Sequence, residues 1–125
     1  MLNSTSILIY GNNIELLQLR KLVLETTGYF VWITTDIRKV EEHLLMRRVD
    51  LLVLCHSLST EECERVSQLI SVVQPETKVL ALSAVGSGCK LQHDHATCDT
   101  LDGPAKLVAT VTRLVETGTL NVTIQ

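Results

Sequence analysis

Short apolar runs alternate five times along the chain with longer stretches whose apolar residues recur every three or four positions. The first run, residues 7–10, is rich in β-branched side chains and stops at Gly11-Asn12-Asn13, as a strand does when it leaves through a turn. Asn12 or Asn13 can cap the next element, a helix predicted from Ile14 to about Thr27, and Gly28 stands where a helix-ending glycine belongs. Residues 30–34 read as a second strand. Asp36 then caps a helix running to about Arg47, with a basic last turn.

Residues 51–55 form the most uniformly apolar run. A strand without polar alternation is buried on both faces, which implies a parallel sheet with helices on each side. Ser59-Thr60-Glu61-Glu62 opens a capped, acidic helix predicted to reach Val73. Residues 78–82 are a fourth strand. From 84 to 96 the pattern weakens: Gly86, Gly88 and two histidines interrupt it, so a helix there should be short or missing, and the segment irregular. Residues 96–101 make a fair fifth strand. Gly103-Pro104 opens a last helix whose buried side is Leu107, Val108, Val111, Leu114 and Val115. Five such units predict an α/β fold with a doubly wound, five-stranded parallel sheet. Residues 1–118 should form one domain. Residues 119–125 would be a C-terminal tail that alternates like a strand, with an extra edge strand, a partner-binding segment and a frayed end all open.

Composition narrows the class. The apolar share of 46% supports a packed core, and aromatics at 3% leave that core to Leu, Val and Ile. A net charge of −3 argues against nucleic acid as a partner. No run reaches a membrane span and no leader pattern opens the chain, so a cytoplasmic location with reduced thiols is expected for Cys55, Cys63, Cys89 and Cys98.

Residues 28–31 (Gly-Tyr-Phe-Val), Asp36 and the run Val49-Asp50-Leu51-Leu52-Val53-Leu54 resemble, without a gap, a stretch of the response-regulator receiver domains of two-component signalling. The likeness covers roughly residues 6–116. It implies a flavodoxin-like sheet in the order 2-1-3-4-5. It also implies a site at the strand ends, most of whose chemistry is replaced here. The acidic pair that holds Mg²⁺ falls on Gly11 and Asn12, and the phosphate-accepting aspartate falls on Cys55. The hydroxyl residue ending the fourth strand is kept as Ser83. The lysine of the Lys-Pro pair becomes Gly103 while Pro104 remains, and the switch aromatic falls on Thr100. The resemblance thus implies a receiver degenerate at its phosphorylation site.

Other chemistry has plainer explanations. Ser83 can donate to a ligand or simply satisfy a local backbone group. Cys55, at the reversal of the sheet, is a nucleophile or redox candidate if a cation lowers its pKa, and a packing residue otherwise. His56 follows it directly, and adjacent strand residues point to opposite faces. Cys89, His93, His95 and Cys98 hold four soft-metal donors within ten residues, in a spacing that fits no standard zinc motif; a polar surface loop is the simpler reading. His43 and the acidic clusters at 41–42 and 61–64 read as solvated helix surface. No nucleophile–base–orienter set can be assembled, so no enzyme and no cofactor are expected.

The function expected is a phosphorylation-independent signalling module acting through protein–protein contacts. Its partner face, by resemblance, is the fourth strand, fifth strand and last helix, and a homodimer is compatible with the sequence. The alternative is a small-molecule, metal or redox sensor using Cys55 or the Cys89–Cys98 segment.

Overall fold

The computed structural model describes residues 5–55, 58–83, 96–99 and 103–116. The predicted alternation becomes strands β1 (Ser6–Tyr10), β2 (Phe30–Thr34), β3 (Leu51–Leu54), β4 (Lys78–Ser83) and β5 (Ala96–Asp99). The helices are α1 (Ile14–Glu25), α2 (Ile37–Met46), α3 (Thr60–Val73) and α4 (Gly103–Glu116). The strands are parallel, and the expected doubly wound order holds from β2 through β1 and β3 to β4. Beside β4 lies β5, paired from Leu80↔Ala96 to Ser83↔Asp99. The irregular segment expected before β5, and the tail at 119–125, fall outside the described residues.

Successive strand residues feed opposite layers of core, because side chains alternate across a strand. Leu8, Tyr10, Leu52, Leu54, Val79 and Ala81 pack with Val40 and Leu44 of α2 and Val66 and Ile70 of α3. Ile7, Ile9, Leu51, Val53, Leu80 and Leu82 pack on the other side with Leu17 and Leu24 of α1 and Leu107 and Val111 of α4. All four residues of β3 are fully buried, as the unbroken apolar run requires.

Local signals decide the helix ends. Asn13, of the two candidates, caps α1: its Oδ1 accepts from the backbone N–H groups of Glu15 (3.1 Å) and Leu16 (3.2 Å). The helix stops two residues before the expected Thr27 because Thr27 and Gly28 donate to Leu24 and Glu25 three residues back, tightening the last turn. Gly28 then takes a φ of +94°, open to glycine at little cost.

The lower end of the sheet is tied by one side chain that the sequence did not advertise. Gln74, just past α3, donates from Nε2 to the carbonyls of Leu44 (2.9 Å) and Arg47 (3.0 Å) at the end of α2. Its Oε1 accepts from the Val49 N–H at 2.6 Å. Gln74→Leu keeps the size and loses all three bonds, so a stability loss of about 1–3 kcal/mol is expected. Urea unfolding measures it, and a change below about 0.5 kcal/mol, the level of an ordinary surface substitution, would show that the amide is not the tie.

Two expectations are corrected. His43 is not a solvated surface residue: its ring packs on Trp32, 5.9 Å between centroids, and bonds the Arg47 guanidinium. It lies three residues after the buried Val40, which turns it toward β2. Burial, and then the neighbouring Arg47, hold its pKa below the ordinary value. Cys63, on the buried face of α3, is disulfide-bonded and so is not the reduced thiol expected. No described helix is long and apolar enough to cross a membrane.

Candidate functional site at the sheet reversal

The sheet reverses direction of growth between β1 and β3, and ligands of open α/β sheets bind outside the strand ends at such a point. The chain places Gly11 and Cys55 there. The Cys55 N–H continues the ladder by donating to the Tyr10 carbonyl at 3.0 Å, and the Gly11 N–H donates to Thr34 at 3.3 Å. The two residues are packed tightly together. A Cβ on Gly11 would sit 2.7 Å from the Cys55 Cβ and 3.0 Å from its Sγ. The sulfur and its methylene therefore fill the space that any side chain at position 11 would need.

Cys55 is only 2% exposed. Arg20, from the second turn of α1, donates from a guanidinium nitrogen to Sγ at 3.1 Å. Burial pushes the thiol pKa up, and the Arg20 charge and hydrogen bond pull the other way without overcoming it. The group is thus held as a neutral thiol, the less nucleophilic form. The sequence reading missed Arg20. Its signal was the spacing: three residues after the buried Leu17, it lies on the side of α1 that faces the sheet.

Asn12 points to the other rim. Its Nδ2 donates to Glu62 Oε1 at 3.3 Å. Glu62 also closes the α3 capping box, accepting from the Ser59 N–H at 2.8 Å while its own N–H donates to Ser59 Oγ at 3.1 Å. A residue that reads as surface charge therefore joins the first and third βα connections. The Ser59 backbone bond, helped by Asn12, Ser59 and Tyr10, holds the Glu62 carboxyl below its ordinary pKa of 4.5. Beside it, burial first and then the negative charges of Glu62 and Asp36 push the Tyr10 phenol up.

Glu62 gives a pH prediction. A carboxyl with a depressed folded-state pKa binds fewer protons folded than unfolded. Its contribution is complete above 4.5 and disappears as pH falls through the depressed value. Urea midpoints taken at about pH 6 and pH 3 should therefore differ less in Glu62→Gln than in the parent. Equal pH dependence in the two would remove Glu62 from the acid response.

Gly103 opens α4 with a φ of +85°, where an L side chain is strained by roughly 1–2 kcal/mol. Ser83 ends β4, in register with Asp99. Cys98 lies in β5. His56, Cys89, His93, His95 and Thr100 fall outside the described residues, so the structure does not bring the four soft-metal donors together or apart.

No protein-family model matches the chain, and no curated protein matches it. Solved structures do. A response regulator receiver protein from Sinorhizobium medicae WSM419 superposes with a TM-score of 0.74 over 93% of this chain and 98% of its own, at 17% identity. The signal receiver domain of a putative Luxo repressor protein from Vibrio parahaemolyticus gives 0.76 over 98% of each chain at 14% identity. A CheY-like receiver domain protein from Methanospirillum hungatei JF-1 gives 0.69 over 91% of this chain and 95% of its own at 17% identity. At such low identity the likeness speaks for architecture alone, and the architecture of this chain is the flavodoxin-like fold of response-regulator receiver domains.

Proposed function

We propose that the chain is a receiver-like signalling module that works by binding another protein and is not controlled by phosphorylation. One observation supports this reading: the contact between Gly11 and Cys55, in which the Cys55 sulfur and methylene fill the space that a side chain at position 11 would need. Mg²⁺ needs hard oxygen ligands, normally one or two carboxylates with water and phosphate. Gly11 has no side chain, Asn12 is neutral and committed to Glu62, and Cys55 is a buried neutral thiol. With Gly103 in the lysine position, the lysine charge that would neutralise a transferring phosphoryl group is missing, and the Arg20 guanidinium, the cation at the site among the described residues, is held on the thiol; electrostatic stabilisation is most of the catalysis in that reaction.

The module acts by contact, not as an enzyme. The surface of β4, β5 and α4 is its partner face, as in the receivers it resembles. A metal, small-molecule or redox sensor is the alternative. The Arg20–Cys55 contact is the observation in its favour; the burial of that thiol weighs against it.

Incubation with acetyl phosphate and Mg²⁺, followed by intact mass and peptide mapping, tests the proposal. No phosphoryl adduct is expected at Cys55 or elsewhere in the fold, and no saturable change in Trp32 fluorescence with Mg²⁺. A stoichiometric adduct at Cys55 would overturn the reading.

A further inference from the structure

Three side chains meet where the last turn of α2 lies against β2. The His43 ring is 5.9 Å from the Trp32 ring, and the Arg47 guanidinium is 4.8 Å from the centroid of the same indole. A nitrogen of that guanidinium also bonds His43 Nδ1. A guanidinium only donates, and it keeps its charge at any ordinary pH. His43 Nδ1 is therefore the acceptor, and the arrangement exists only while that nitrogen carries no proton.

We propose that this trio is an acid-released latch, in which a proton on His43 Nδ1 drives Arg47 off the Trp32 face and leaves the imidazolium there. The proton turns the acceptor into a second donor and sets two positive charges against each other beside one indole. His43 is the one that stays. Its side chain is short and stands next to the buried Leu44, and an imidazolium keeps a favourable place against an indole. Arg47 is exposed. It lines a cavity of about 640 Å³ whose wall also holds Asp50 and Glu76, so the guanidinium has open space and two carboxylates to move toward. Its backbone is pinned: the Arg47 N–H donates to the His43 carbonyl at 3.1 Å, and the Arg47 carbonyl accepts from Gln74 Nε2 at 3.0 Å. Only the side chain moves.

The surroundings leave Arg47 as the charge that decides. Burial first, and then Arg47, oppose a proton on His43. Glu42 favours one and Lys39 opposes it, and these two are paired with each other at 3.5 Å. Strand β2 is uncharged throughout. β1 and α3 meet α2 through Leu8, Tyr10, Val66 and Ile70, of which only the Tyr10 phenol titrates, above 10.0. The latch is independent of the proposed signalling role, because it uses neither Cys55 nor the β4–β5–α4 face.

Trp32 is the only tryptophan of the chain, so its fluorescence reports on the latch in the full protein. Titrated from about pH 8 to about pH 5, the range in which imidazoles change charge, the emission should change in a step. Its midpoint should lie below 6.5, the ordinary histidine value. His43→Gln, whose amide oxygen still accepts from Arg47, should lose the step. Arg47→Met should keep the step and move its midpoint up, because the opposing charge is gone; simple quenching by His43 would not respond to Arg47. In NMR spectra of the parent, the Arg47 side-chain protons, shielded by the indole, should return to ordinary shifts with the same midpoint. A flat titration, a step that survives His43→Gln, a midpoint indifferent to Arg47→Met, or Arg47 resonances that ignore pH would each overturn the proposal.

Discussion

Leu54→Ala is expected to lower the stability of the domain by about 2–5 kcal/mol, a large part of the ~5–15 kcal/mol of a typical fold. Leu54 is 0% exposed and sits at the centre of the sheet, in register with Tyr10 of β1 and Ala81 of β4. Its side chain faces the layer formed with α2 and α3. Truncation there loses the transfer free energy of the removed carbons and leaves a cavity that strands on both sides prevent from collapsing. The urea midpoint should fall by roughly 1–2 M with little change in slope. Leu45→Ala is the control, because Leu45 is 65% exposed on α2, and it should stay within about 0.5 kcal/mol. Equal midpoints for Leu54→Ala and the parent would mean that the core lies elsewhere.

Placing an acidic residue at position 11 should damage the fold before it supplies any chemistry. The Cβ of any new residue would lie 2.7 Å from the Cys55 Cβ and 3.3 Å from Leu17 Cδ2. Gly11→Ala should therefore cost about 1–3 kcal/mol as an overpacked site. Gly11→Asp should cost more, because it also sets a carboxylate against a buried thiol and leucine. A double variant locates the cause. Cys55→Ala removes the sulfur but keeps the Cβ, so Gly11→Ala should remain destabilising in that background. Cys55→Gly removes the Cβ and should relieve most of the clash. Urea unfolding of the six chains (parent, three single and two double variants) gives both couplings directly, and a neutral Gly11→Ala would show that the backbone yields there freely. Gly11 and Cys55 act as one packed unit.

Much of this architecture was legible in the chain. The unbroken run 51–54 could only be a strand covered on both sides, and the alternation of periods placed α1, α2, α3 and α4 to within a few residues. The capping signals at Asn13, Asp36 and Ser59 worked because a cap is a local bargain between one side chain and one or two backbone N–H groups. That Gly11, Asn12, Cys55 and Gly103 supply neither a carboxylate nor a cation was also readable, since the type of a residue states which charges it cannot supply.

What the sequence could not reveal was which residues meet across the fold. Arg20 and Cys55 are 35 positions apart, Asn12 and Glu62 are 50 apart, and Tyr29 and Thr112, joined by a hydroxyl bond of 3.1 Å, are 83 apart. Glu62 stands apart from Glu61 locally as the glutamate of the Ser59 capping box, but nothing local announces Asn12 as its partner or distinguishes Gln74 from any polar residue after a helix. By itself, then, the sequence determined the class of fold and the helix starts, because periodicity and capping chemistry are properties of short segments. Only the tertiary structure decided that Cys55 is a buried neutral thiol wedged against Gly11, that His43 packs on Trp32 at the edge of the sheet, and that one glutamine ties α2 to β3. Burial and partnership depend on the packing of distant segments, and that packing exists only once the sheet has assembled.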